Sequence, residues 1–234
     1  HPDFSGYHET FTSHGYTSHL IEDAELRKNI AIYYGMISFI DQQIGLILDR
    51  LDQLRIADNT LILFTTDHGH FLGQHGLIAK GGFHFEDMLR IPMIVRHPGV
   101  VPAGRRSSAL QSQVDFAPTF LKTAGLDIPG LMQGLDQTPV WTGRTPSVRD
   151  HLIVENRHQP TRVHLRTCID DRYKITIYRH GDDGELFDLH ADPHERHNLW
   201  YDPDHLPLRA QLLHRFVQAE LQREPTRMPR IANA

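Results

Sequence analysis

The longest hydrophobic pattern in the chain predicts an amphipathic helix that begins at about Glu22. Its apolar residues recur three or four positions apart, and acidic residues stand near its start, where the helix dipole favours them. The apolar members are Ile30, Tyr33, Tyr34, Ile37, Ile40, Ile44, Ile47, Leu48, Leu51 and Leu54. We expect this aromatic and aliphatic stripe to belong to the core.

Shorter apolar runs then predict strands that alternate with helices. The run Thr60–Thr66 is unbroken and ends abruptly at Asp67-His68-Gly69, which is typical of a strand buried on both faces, as in a parallel sheet covered by helices. A second strand is predicted at Ile91–Arg96, and a helix at Val114–Ala124 with Gly125 as its C-terminal stop. This alternation indicates an α/β layer.

The last third of the chain predicts a smaller unit. Residues 125–149 are rich in Gly, Pro and Thr, and we interpret them as the passage between two domains, 1–145 and 146–234. Strands are expected at His151–Val154, Arg172–Tyr178 and Glu185–Leu189, the last after a turn at His180–Gly184. Helical spacing of leucines from about Pro207 to Gln222 predicts a closing helix.

Composition narrows the classes of partner. The 234 residues carry 24 Lys and Arg against 29 Asp and Glu, a formal net charge of −5, so we expect neither a nucleic acid nor an anionic membrane as partner. No apolar run approaches the roughly 20 residues that span a bilayer. The single cysteine, Cys168, excludes an internal disulfide but leaves the compartment open, whether cytoplasmic, periplasmic or secreted.

Asp67 and His68 are the strongest candidates for residues that bind a metal or an anion. In open α/β sheets ligands bind beyond the carboxyl ends of strands, so a carboxylate and an imidazole at that point can converge on one metal or anion. The alternative is that Asp67 caps the next element and His68 merely packs. Lys80 follows in the Gly-rich loop Gly76–Gly82, which can bring an ammonium over the same pocket.

Taken together, these residues resemble the sulfatase family of the alkaline-phosphatase superfamily. The matching positions are Thr66-Asp67-His68-Gly69, Leu72-Gly73, His75-Gly76, Lys80, Arg90–Val95, Pro98-Gly99, Val114–Thr119, Ala124-Gly125, Glu185–Leu189, Asp192-Pro193, Glu195 and Asn198-Leu199. The resemblance implies an α/β fold: the later half of a large mixed β-sheet flanked by helices, followed by a small antiparallel-sheet subdomain with a C-terminal helix.

The resemblance also implies roles for single residues. Asp67 and His68 would be metal ligands, and Lys80 would hold a sulfate oxygen and offset charge that develops as the ester bond breaks. His1, in a stretch similar to one that many sulfatases place by the substrate, would assist the leaving group, although a solvated loop histidine is the plainer reading. The metal is expected to be Ca²⁺, while the imidazole of His68 would suit Mn²⁺ or Zn²⁺ better.

Part of the family's site has no counterpart in this chain. Sulfatases make a formylglycine nucleophile from a Cys or Ser in C-x-P-x-R, whereas Cys168 has Asp170 where that proline belongs and is interpreted as a buried structural thiol. The family's paired Asp ligands are also missing. We therefore expect the C-terminal portion of a longer sulfatase, with the formylglycine upstream, weak metal binding and no turnover by this chain alone.

Other polar residues have plainer interpretations. His70, His75 and His84 are expected to line the pocket or to hydrogen bond with the backbone, because a histidine-rich loop does not by itself indicate zinc. Asp115 is expected to be a carboxylate at a helix N-terminus, stabilised by free N–H groups.

The leading functional hypothesis is hydrolysis of a small-molecule sulfate ester by the full-length parent. The alternatives are a phosphodiesterase or phosphonate monoester hydrolase of the same superfamily, and a noncatalytic metal-binding remnant. Because half a sheet would expose apolar surface, association into a homo-oligomer is also expected.

Overall fold

The computed structural model describes residues 21–157, 164–179 and 181–223 of the chain. In chain order the helices are α1 Asp23–Gln53, α2 Glu86–Leu89, α3 Phe116–Thr123, α4 Thr138–Trp141 and α5 Leu206–Arg223. The strands are β1 Ile62–Thr65, β2 Phe71–Leu72, β3 Ile78–Ala79, β4 Met93–Arg96, β5 Leu152–Asn156, β6 Leu165–Ile169, β7 Tyr173–Tyr178 and β8 Gly184–Asp188. Short 3₁₀ turns lie at Ala57–Asn59, Gln74–Gly76, Gln113–Asp115 and Pro203–His205.

The described residues form two compact units. The first unit contains residues 21–107 and 141–143, and the second contains residues 108–140 and the described residues from 144 onward. The boundary at 145 and 146, which the sequence predicts for two folding domains, stays a prediction. The α/β class, the small antiparallel sheet and the C-terminal helix are confirmed.

Helix α1 forms where its periodicity predicts it, but the expectation that its apolar stripe is core is wrong within the described part of the chain. None of its residues is buried, and Tyr34, Ile40 and Ile47 are all more than half exposed. Its N-terminal half contacts other elements through Tyr33, which stacks on His70, and through Leu26, which lies beside Gly73. By length and composition α1 could also cross a membrane, a criterion that core helices of globular enzymes meet as well.

The first unit is built around two short antiparallel strand pairs. Strand β1 pairs with β4, with Ile62 opposite Arg96 and Thr65 opposite Met93, and β2 pairs with β3 in a small hairpin. The pairing of β1 with β4 is antiparallel, and Phe64 is partly exposed, so the expected burial of β1 on both faces is not seen in the described residues. Register and partner depend on which strands are close in space, which local sequence does not encode.

The second unit contains a four-stranded antiparallel sheet in the order β5-β6-β7-β8. One face packs against α5, and its core consists of Cys168, Ile175, Leu186, Trp200, Leu212 and Phe216. The other face carries Thr167, Lys174, Thr176 and Glu185, which are buried although they are polar. The hydroxyls of Thr167 and Thr176 are 2.8 Å apart and satisfy each other, and Lys174 forms a buried ion pair with Glu195.

Asp115 has the structural role that the sequence indicates. Its carboxylate is fully buried and accepts hydrogen bonds from the backbone N–H groups of Ser112, at 2.9 Å, and Leu135, at 2.8 Å. It also accepts one from Gln137 Nε2 at 2.9 Å and forms an ion pair with Arg149. This network joins the start of α3 to the following loop. Helix α3 ends at Thr123, and Gly125, two residues later, has φ +73°, the left-handed conformation that glycine favours.

Candidate active site

The site lies just beyond the end of β1, where the chain turns sharply. Gly69 lets the backbone beyond the strand approach the segment 85–88 closely, because a Cβ there would lie 1.8 Å from the carbonyl oxygen of Asp87. Its N–H donates to the carbonyl of Met88 at 2.8 Å, which ties the strand tip to the segment 85–88. Any residue with a side chain at this position would force the two segments apart, which explains on steric grounds why position 69 is a glycine.

One ring nitrogen of His68 faces the backbone of this turn, and the other faces the side chains of Asp67 and Lys80. Its Nδ1 lies 2.7 Å from the carbonyl oxygen of Gly69, and because a carbonyl only accepts, Nδ1 carries the hydrogen. In the neutral ring, Nε2 is then left with its lone pair. This orientation by a backbone carbonyl is the arrangement that fixes the tautomer of metal-binding histidines.

Three groups of different chemistry meet around that nitrogen. Asp67 Oδ2 lies 3.5 Å from His68 Nε2, and Lys80 Nζ lies 3.5 Å from the same atom. The structure therefore brings a carboxylate, an imidazole and an ammonium together at the tip of one strand. The roles that the sequence assigns to Asp67, His68 and Lys80 stay predictions.

Electrostatics at the site favour an ionised carboxylate. The positive charge of His68 is the largest cause that lowers the pKa of Asp67, helped by hydrogen bonds from the Thr66 hydroxyl and the His68 backbone, while slight burial opposes it. Burial lowers the pKa of His70, and the positive charges of His68 and Lys80 lower it further. The ammonium of Lys80 is the positive charge that an anion would meet at this strand tip.

Lys80 is placed by a hairpin and a strained backbone. Strands β2 and β3 pair Phe71 with Ala79 and Leu72 with Ile78, so the residue after β3 is returned to the neighbourhood of the strand tip. Ala79 has φ +65°, an uncommon conformation for a residue with a side chain. The hairpin thus aims Lys80 at His68 at some conformational cost, which surrounding contacts must offset.

The histidines of the loop differ in their surroundings. His70 stacks on Tyr33 with ring centroids 4.8 Å apart, and His84 is almost completely buried. His75 stacks on Phe85 at 3.7 Å, and its Nε2 lies 3.6 Å from a carboxylate oxygen of Asp87. Sequence reasoning missed the segment 85–88, because nothing in its spacing from Asp67 indicates that it supports the site.

The remaining candidate residues lie elsewhere. His1 falls outside the described residues. Cys168 lies inside β6, where burial raises the pKa of its thiol to about 12, in agreement with a structural thiol. Within the described part of the chain, no group of three or more His, Cys, Asp or Glu side chains is arranged to hold a metal ion.

Two family models match the chain. The sulfatase model matches residues 1–126, and the model of the C-terminal region of N-sulphoglucosamine sulphohydrolase matches residues 73–222. Among curated proteins, the N-acetylglucosamine-6-O-sulfatase of Bacteroides thetaiotaomicron is 32% identical over 197 residues, which is 81% of this chain and 35% of the relative.

Solved structures are similar as well. The structure of BT4656 in complex with its substrate D-glucosamine-2-N,6-O-disulfate has a TM-score of 0.75 and 28% identity, over 82% of this chain and 41% of that one. The phosphonate monoester hydrolase of Agrobacterium radiobacter has a TM-score of 0.77 and 31% identity, over 85% of this chain and 42% of the other. The chain thus spans less than half the length of the proteins it matches.

Proposed function

We propose a function from one premise, which is that the chain belongs to the sulfatase family. The full-length protein hydrolyses a sulfate ester, and this chain supplies part of the site through Asp67, His68 and Lys80. The observation that carries the proposal is the 3.5 Å approach of both Asp67 Oδ2 and Lys80 Nζ to His68 Nε2. A sulfate group needs both positive charge and metal ligands at one place, and these side chains offer them together.

The donor atoms fit a divalent cation. An ionised carboxylate and an imidazole whose Nδ1 donates to a backbone carbonyl are one oxygen and one nitrogen ligand on the same side of the turn. Asp67 and His68 would hold the metal, which when bound acts as a Lewis acid on the sulfate. Ca²⁺ prefers oxygen ligands, whereas Mn²⁺ and Zn²⁺ accept the imidazole readily.

The formylglycine does not fit any cysteine of this chain. Cys168 is the only one, and it is buried within β6 with a pKa raised to about 12. No residue of this chain is therefore proposed as the nucleophile. His1 remains a proposed proton donor to the leaving group.

Lys80 has the clearest role in the reaction. Its ammonium, aimed at His68 by the β2–β3 hairpin, would contact a sulfate oxygen and stabilise the negative charge that grows as the S–O bond breaks. Because Lys80 is positioned before substrate arrives, little reorganisation is needed during the reaction.

The test compares full-length protein with single variants on an aryl sulfate and on a 6-O-sulfated N-acetylglucosamine. Lys80→Ala should lower kcat by about 10²–10³, the usual loss when one preorganised donor is removed. Lys122→Ala is the matched control, because Lys122 is an exposed lysine in α3 of the other unit. Equal activity of Lys80→Ala and the parent would contradict the proposal.

Metal dependence supplies a second test. Chelation should abolish activity, and restoration by Ca²⁺, Mn²⁺ or Zn²⁺ should identify the preferred cation. Asp67→Asn should weaken that restoration, seen as a higher metal concentration at half-maximal activity. Activity that survives complete chelation would contradict the assignment of Asp67 and His68 as ligands.

Hydrolysis of a phosphonate monoester is the second candidate. It is favoured by the similarity to the Agrobacterium radiobacter enzyme and by the nitrogen ligand that His68 offers. The two candidate functions are distinguished by kcat/KM for an aryl sulfate divided by kcat/KM for an aryl phosphonate, both measured on the same preparation. A ratio well above one supports the sulfatase, and a ratio well below one supports the phosphonate hydrolase.

A further inference from the structure

A single segment supports both loops that meet at the site. The carbonyl of Met88 accepts the N–H of Gly69, the residue after His68, at 2.8 Å. The same segment packs against the tip of the hairpin that leads to Lys80, because the ring of Phe85 stacks on the ring of His75. The segment 85–88 is therefore a common support for the strand tip and for the hairpin.

His75 makes the contact on the hairpin side with unusual closeness. Its ring centroid is 3.7 Å from that of Phe85, with an angle of 6° between the ring planes, and Phe85 is itself buried. On the same ring, Nε2 lies 3.6 Å from Asp87 Oδ2, and the side chain of His75 is only 17% exposed. Two residues of the segment, Phe85 and Asp87, thus contact one imidazole.

The backbone of His75 has an uncommon conformation. Its φ is +54°, in the left-handed region that residues with a side chain rarely adopt, inside the 3₁₀ turn Gln74–Gly76. The turn is closed by hydrogen bonds from Gly73 N–H to the Leu77 carbonyl at 2.8 Å and from Leu77 N–H to the Gln74 carbonyl at 2.9 Å. Such strain persists only where surrounding contacts hold it, and it is common at functional sites.

We propose that His75 is a positioning residue for the reaction, which fixes the β2–β3 hairpin on the segment 85–88 and thereby holds Lys80 beside His68. This inference rests on the proposed function, since it gives His75 an effect on catalysis only through Lys80. His75 does not touch the reacting atoms. Its stack on Phe85 supplies the rigidity, and a displacement of about 1 Å at Lys80 would be enough to slow the reaction greatly.

Two substitutions separate the stack from the backbone conformation. His75→Asn keeps a residue that tolerates positive φ but loses the ring, whereas His75→Phe keeps a ring that can stack on Phe85. We expect His75→Asn to lower kcat tenfold to a hundredfold with little change in KM. His75→Phe should restore most of kcat. The reverse order, with Asn active and Phe inactive, would overturn the proposal.

A double-mutant cycle tests whether the effect passes through Lys80. The cycle uses full-length protein carrying His75→Asn, Lys80→Ala or both. If His75 acts by holding Lys80, the His75→Asn substitution changes kcat less than twofold once Lys80 is alanine. Losses that multiply in the double variant would show a general structural role and would overturn the proposal.

Proteolysis gives a readout that needs no activity. The lysines of the chain are Lys28, Lys80, Lys122 and Lys174, so a lysine-specific protease yields fragments that identify each cut. His75→Asn should speed cleavage after Lys80 at least threefold and leave cleavage after Lys122 unchanged, while His75→Phe should resemble the parent.

This readout separates failure of the inference from failure of the proposed function. Unchanged cleavage after Lys80 in His75→Asn would overturn the positioning role even in an active sulfatase. Faster cleavage in a protein that hydrolyses phosphonates rather than sulfates would support the positioning role, and the cycle would then be measured on the phosphonate.

Discussion

The buried ion pair between Lys174 and Glu195 allows a quantitative prediction. Each side chain is only 1% exposed, and Lys174 lies in β7, between Ile169 on β6 and Phe187 on β8. Removing one partner leaves the other charge buried without this counter-ion, which costs about 3–5 kcal/mol. Since about 1 kcal/mol shifts Tm by roughly 2–4 °C in a chain of this size, Lys174→Met should lower Tm by about 6–20 °C.

The comparison that decides the reasoning is with the double variant. Replacing both partners by methionine removes the desolvation cost as well as the attraction, so Lys174→Met with Glu195→Met should be more stable than Lys174→Met alone. Urea unfolding followed by tryptophan fluorescence measures this in a Trp141→Phe background, where Trp200 in the core beside β7 is the reporter. A single substitution that costs less than about 1 kcal/mol, or a double variant as unstable as the sum of both, would refute the argument.

Three further predictions follow from packing and titration. Burial raises the pKa of Glu185 above its ordinary 4.5, so its ionisation opposes folding as pH rises; Glu185→Gln should raise Tm at pH 7–8 but not at pH 4. A lower Tm at pH 8 would contradict this. Gly184→Ala would place a Cβ 2.4 Å from a ring carbon of Trp200 and should cost about 1–3 kcal/mol in urea unfolding, whereas Gly181→Ala, with no atom nearer than 3.8 Å, is the control that should be neutral. The exposed apolar residues of α1 predict that this chain associates, seen as a light-scattering mass that rises with concentration; a constant monomer mass would count against it.

Part of the fold follows from local pattern alone. Helix α1 and helix α3 with its stop at Gly125 lie where apolar spacing and a single glycine predict them. These elements depend on residues close together in the chain, where helical period and terminal residues act directly. The position of Asp67 and His68 just after β1 is of the same kind, because an apolar run that stops abruptly marks the end of a strand.

Strand β6 is not predicted by the apolar pattern, because part of its buried surface is polar. Its sequence has Arg166 and Thr167 between apolar residues, and the buried Thr167 pairs with Thr176 of β7. Polar groups can be buried there only because Thr167 meets Thr176 and Lys174 meets Glu195. These partners come from different strands or loops, and no local signal announces them.

The sequence by itself determined the residue types at the site and their order, Asp67, His68 and then Lys80 in a glycine-rich loop, together with the family they resemble. Tertiary structure alone decided that the carboxylate of Asp67 and the ammonium of Lys80 both approach His68 Nε2 to 3.5 Å. It also decided that β1 pairs antiparallel with β4, and that the segment 85–88 supports both the tip of β1 and the β2–β3 hairpin. The physical reason is range. Helical period, strand ends and glycine turns act over a few residues, whereas convergence of side chains depends on packing between segments that are distant in sequence.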